Sequence, residues 1–205
     1  MEPGVAGDFA LYDGSDGGGM PKGGSNTLVF APRSSETERE ACADLSAIGG
    51  KNAAAVLVSY AQQAQRRFRT WREGPDGRFD DVAVISVGER RQSNSTTTVG
   101  EGTVSVRSIG DRSDLIRLGI AINDALSERD AAGTVLCFHT VTDLIEFVGE
   151  EQAFRFFYTL IRQVETVGAR AHYHMDPAAH DEQTVIKFRS LFDDVVTPGN
   201  EDTIG

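Results

Sequence analysis

Four histidines, His139, His172, His174 and His180, fall at or just after the ends of two apolar stretches, residues 133–138 and 169–174. Alternate side chains of an extended strand share a face, so His172 and His174 point the same way. Asp176, His180 and Asp181 follow within reach of one loop. Imidazole beside carboxylate is donor chemistry for zinc and other first-row divalent cations. The spacing matches no recognised metal motif, and strand histidines packed with ordinary hydrogen bonds are the commoner arrangement. The two cysteines, Cys42 and Cys137, sit among apolar neighbours. Two thiols in 205 residues make no disulfide framework, and they read as core residues of a protein in a reducing compartment. A Cys42–histidine nucleophile pair has no orienting group nearby in sequence, which also favours the core.

A second place for chemistry is the turn after the apolar run at 27–30. A phosphate loop of the form G-x-x-x-x-G-K-[ST] needs glycines so that backbone N–H groups wrap the phosphates. It also needs a lysine for the outer phosphates and a hydroxyl for magnesium. Here the turn reads Ala31, Pro32, Arg33, Ser34, Ser35, Glu36, Thr37. The frame matches and the chemistry does not. Further along, Arg66, Arg67, Arg69 and Arg72 make a basic helix surface beside Trp71. That surface is either a solvated face paired with nearby acids or a docking patch for an acidic partner.

Short apolar runs alternating with amphipathic segments are the pattern of β-α-β units on a parallel sheet. Strands are predicted at 27–30, 53–58, 82–87, 103–106, 133–138, 169–174 and 195–196, the last at an edge. Helices are predicted over 61–71, 114–129, 150–167 and 181–191. Ser35 and Glu38 have capping-box spacing and open a further helix with Ala41, Cys42, Leu45 and Ile48 on one face, stopped by Gly49-Gly50. Leu115, Leu118, Ile122 and Leu126 form a helical stripe with Ser113 as its cap. Residues 133–138 are nearly all apolar, as befits a strand buried on both faces at the sheet centre. Residues 88–102 are polar and read as a loop or disordered insertion. The glycine-rich residues 1–25 read as a disordered tail and 198–205 as a flexible C-terminus.

The frame at 27–37, the run Val-Leu-Cys-Phe-His-Thr-Val-Thr-Asp-Leu at 135–144 read as a strand, the Phe/Tyr/Leu-rich helix after it and Ala-His-Tyr-His at 171–174 resemble the RecA/KaiC-like ATPase superfamily. The likeness spans roughly residues 26–196 in element order; more narrowly, the chain looks like the small degenerate KaiC-type proteins of haloarchaea. It implies one α/β domain over 26–197, a three-layer α/β/α sandwich with a mostly parallel central sheet. It places the phosphate-loop lysine on Glu36, the glycines on Ala31, Arg33 and Ser35, and the hydroxyl on Thr37. The acidic pair falls on Ala61-Gln62 and the Walker B aspartate on Phe138. A lysine ~4 Å from a phosphate contributes about 4 kcal/mol at an effective dielectric of 20, so Glu36 would substitute a repulsion of similar size. Residues Arg33, Ser34, Ser35, Glu36 and Thr37 therefore mark a degenerate cofactor position at which no cofactor is expected. ATP or another nucleotide held there without magnesium is the alternative. In the superfamily's order the strands at 133–138 and 169–174 are neighbours, which brings His139 near His174 at the carboxyl edge, where open α/β folds place ligands. His139, His174, Asp176 and His180 form the candidate metal set.

Lys+Arg number 20 against 31 Asp+Glu, a net charge of −11, and only Lys22, Lys51 and Lys187 are lysine. Such a surface repels a polyanion, which argues against nucleic-acid binding, and it suits a high-salt cytoplasm. No apolar run reaches the ~18 residues of a membrane span. The expected function is that of a catalytically inactive regulatory or scaffold protein. Its contacts would be with an active paralogue, a signalling component or a second copy of itself. A metal-dependent hydrolase is the third reading.

Overall fold

The computed structural model describes residues 26–33, 35–47, 53–60, 79–88, 95–99, 102–129 and 133–198. Its strands are β1 (Asn26–Phe30), β2 (Ala53–Tyr60), β3 (Phe79–Val87), β4 (Ser95–Val99), β5 (Gly102–Ile109), β6 (Thr134–His139), β7 (Arg170–Met175) and β8 (Asp194–Val196). The helices are α1 (Glu36–Ala47), α2 (Leu115–Ser127), α3 (Val141–Val148), α4 (Glu150–Val167) and α5 (Glu182–Arg189). The expected tail at 1–25, the helix at 61–71 with its arginines and Trp71, Ala61-Gln62, Ser34 and residues 199–205 lie outside the described residues.

One eight-stranded sheet runs in the order β4-β5-β3-β2-β6-β7-β1-β8, parallel throughout except for the antiparallel β4–β5 pair. The chain is thus an α/β protein with a mostly parallel central sheet. β6 is central and buried along its whole length, and β8 is an edge, as their sequences suggest. Because side chains alternate across each strand, Val56, Val58, Leu136, Phe138, Ala171 and Tyr173 face α2–α5 in one large apolar core. Helix α1 lies on the opposite face, against β1, β6 and β7. Four aromatic rings dominate the large core: Phe157 meets Phe138 edge-on at 4.9 Å between centroids, Tyr173 at 5.8 Å and Phe188 at 6.3 Å.

Several local expectations are corrected. The polar segment 88–102 carries β4, which pairs with β5, because its Thr and Val residues satisfy an edge ladder. The strand expected to continue through 135–144 ends at His139; Thr140 then caps α3, its hydroxyl accepting the Asp143 N–H at 2.9 Å and donating to the Asp143 carboxylate at 2.8 Å. The cap of α2 is Asp114, which accepts from the Arg117 N–H at 3.0 Å, while Ser113 bonds to Asp111. Only half of the capping box at α1 forms: the Ser35 hydroxyl accepts the Glu38 N–H at 3.0 Å, but the Glu38 side chain turns inward and is 1% exposed.

Candidate functional site

Glu38 and Cys42 stand one helical turn apart on α1, so both face the sheet. Beneath them Cys137 and His139 occupy alternate positions of β6, in register with His172 and His174 of β7. Two by two, these strand residues form a patch on the face that α1 covers, with every side chain buried. The donor atoms of Cys42, Cys137, His139 and His174 all lie within 4.8 Å of one another. The Cys42 and Cys137 sulfurs are 3.3 Å apart, Cys42 Sγ is 3.4 Å from His172 Nε2, and Cys137 Sγ is 3.8 Å from His174 Nε2. The His139 and His174 rings stack with centroids 3.8 Å apart. On their far side, Glu38 Oε1 is 3.1 Å from His139 Nδ1 and 3.9 Å from His174 Nδ1.

Burial strips the hydration an imidazolium needs, and with His139 repelling a second charge the pKa of His174 is pushed down to about 3. His174 is therefore neutral at physiological pH. For Cys42, burial raises the thiol pKa, but the Cys137 hydrogen bond, the charge of His172 and a hydrogen bond with His139 bring it well below its ordinary value. Neutral imidazole and thiolate are the metal-binding forms of these groups.

Of the expected metal set, the structure brings His139 and His174 together but not Asp176 or His180. Asp176 sits at the exit of β7, where its carboxylate accepts the Arg33 N–H at 3.3 Å and the Ala178 N–H at 3.1 Å. His180 Nε2 lies 3.1 Å from the Thr142 hydroxyl. The cysteines are buried, as expected of core residues, yet their neighbours include imidazoles. Sequence reasoning put His172 on one face with His174 and weighed Cys42 with a histidine only as a nucleophile pair; it missed Glu38 and Cys137, and the joining of all of these in one polar group. The available signal was Cys-x-His on one strand and His-x-His on the next.

Three backbone donors of the turn after β1 are committed internally. Ala31 N–H donates to the Met175 carbonyl at 3.1 Å, Arg33 N–H to Asp176, and Ser35 N–H to the Pro32 carbonyl at 3.2 Å. The Arg33 guanidinium spans Asp143 at 3.2 Å and Glu146 at 3.1 Å on α3. Ser35 and Thr37 hydroxyls bond to each other at 2.9 Å, and Glu36 is exposed at the start of α1. Phe138 points into the aromatic core on the face opposite α1.

No helix among the described residues is long and apolar enough to cross a membrane. No curated protein matches the chain. A family model does match over residues 24–198, and the chain belongs to that family of unknown function, DUF7504.

Proposed function

We propose that this chain is a catalytically inactive domain derived from the RecA/KaiC-like ATPases, acting as a regulatory or scaffold protein in a salt-rich cytoplasm. The observation that carries the reading is the committed turn: amides of Ala31, Arg33 and Ser35 that a phosphate would need already donate within the protein. Asp143 and Glu146 pair with the Arg33 guanidinium and Asp176 accepts from the Arg33 backbone N–H, so an incoming phosphate meets carboxylates. The adjacency of β6 and β7 in a mostly parallel sheet supports the descent. For contact with another protein the chain offers an apolar strip between α2 and α4, where Ile116 is 78% exposed and Ile120 is 56% exposed.

The test is thermal shift and calorimetric titration with ATP, GTP and cyclic dinucleotides in molar KCl, with and without magnesium, alongside phosphate release. The expected outcome is no turnover and no stabilisation above ~1 kcal/mol. Stabilisation that Thr37→Ala abolishes would establish a nucleotide switch instead, and phosphate release would overturn the inactive reading.

A further inference from the structure

We propose that Cys42, Cys137, His139 and His174 hold one zinc ion in a closed tetrahedral site that fastens α1 to the sheet. The site goes beyond the inactive-ATPase reading and does not depend on it.

Three observations converge. The first is donor geometry. Zinc bonds of about 2.3 Å to sulfur and 2.0–2.1 Å to nitrogen give tetrahedral edges of roughly 3.4–3.8 Å. The four donors all lie within 4.8 Å of one another, with the sulfurs 3.3 Å apart, so they reach those edges by changes in separation of roughly 1.5 Å or less. The second is chemistry. Two thiolates and two neutral imidazoles cancel the charge of a divalent cation, so a fully buried centre keeps no net charge of its own. Soft sulfur with imidazole in a four-donor set selects zinc over the oxygen-seeking magnesium and calcium. The third is the surrounding shell. His139 presents Nδ1 to Glu38 at 3.1 Å, which leaves Nε2 for the metal. At that ion-pair distance Glu38 is placed to complete, once metal is bound, the carboxylate–histidine–metal relay that sets ring orientation, which makes it a positioning residue. His174 Nδ1 is buried without a hydrogen-bond partner among the described residues, turned toward the same carboxylate at 3.9 Å while Nε2 faces Cys137.

The ligands come from three elements and are 3% exposed or less. With four protein donors and no solvent-facing position, such a centre supplies structure rather than hydrolysis. Binding releases the thiol protons to solvent and joins residue 42 to residues 137, 139 and 174.

The experiment uses the full chain without a histidine tag, purified under reducing conditions with zinc supplied. The expected result is about one zinc per chain by mass spectrometry of the metal. At roughly a thousandfold excess of zinc over Kd, its removal by a strong chelator lowers the melting midpoint by roughly 10 °C. Cobalt replacing zinc shows a thiolate-to-cobalt charge-transfer band that Cys137→Ser about halves, a readout independent of stability. Glu38→Gln weakens zinc about 10–100-fold, and His180→Asn leaves its content unchanged. Absence of zinc with no cobalt band and unchanged melting overturns the site. So does a Cys42–Cys137 disulfide in freshly isolated protein, and so does loss of zinc in His180→Asn. None of these outcomes alters the nucleotide result, so the two proposals fail separately.

Discussion

Glu38 shows how one residue can satisfy a sequence rule and serve another purpose. Its spacing from Ser35 is that of a capping box, and the serine does cap α1. The carboxylate, however, goes to His139, because a helix lying on a sheet turns its first-turn side chains inward as readily as back toward its own start. Phe157 is the opposite case, a side chain whose role follows from its pattern. It is fully buried and edge-on to Phe138, Phe156, Tyr173 and Phe188. Phe157→Ala is expected to cost about 3–5 kcal/mol, read from the urea midpoint at unchanged slope, since four rings cannot close over the gap. A cost below about 1 kcal/mol would mean the core is not packed as described.

Helix α5 is tied to the start of α4 by a pair whose carboxylate titrates below its ordinary value. Glu150 accepts from Lys187 Nζ at 2.6 Å and from the Thr184 hydroxyl at 3.1 Å, and these bonds, Lys187 first, hold its carboxyl below the ordinary value of 4.5. A depressed carboxylate stabilises the fold above its unfolded pKa and loses that contribution as pH falls through the folded value. Lys187→Met is therefore expected to be less stable than the parent at neutral pH, with the deficit shrinking below pH 4.5. Thermal melts across that range check it, and a deficit that persists in acid would assign the loss to the cation–π contact of the Lys187 ammonium with the Phe154 ring, 5.1 Å from its centroid, instead.

Elements with a repeating pattern were legible in the sequence: the stripe of α4, the apolar run of β6, the stripe of α2 to within two residues of its ends. β4 was not, because a short threonine-rich edge strand has the composition of a loop until its partner is known. The polar cluster was half legible. His139 beside His174 follows once β6 and β7 are taken as neighbours. Cys42 reaches them from a helix 95 residues before Cys137, and no local spacing encodes that approach.

At the scale of the molecule, a net charge of −11 on 205 residues makes self-repulsion a term in stability. Screening lengths fall from about 10 Å at 0.1 M salt to about 3 Å at 1 M, so the melting midpoint is expected to rise with KCl over that interval. An equal osmolality of a neutral solute separates screening from crowding. A midpoint that is flat or falls with KCl would remove the case for a salt-rich home. The two faces of the sheet are unequal in kind. Under α2–α5 lies a broad apolar mass; on the α1 face, among the described residues, lie smaller aliphatic clusters, one of them around Ala55, Val82 and Val84, and the thiol–imidazole group. Heat must dissolve the first flank to unfold the chain. The second would hang on the zinc clasp proposed above, so stripping the metal would slacken one side of this protein while its keel stays whole.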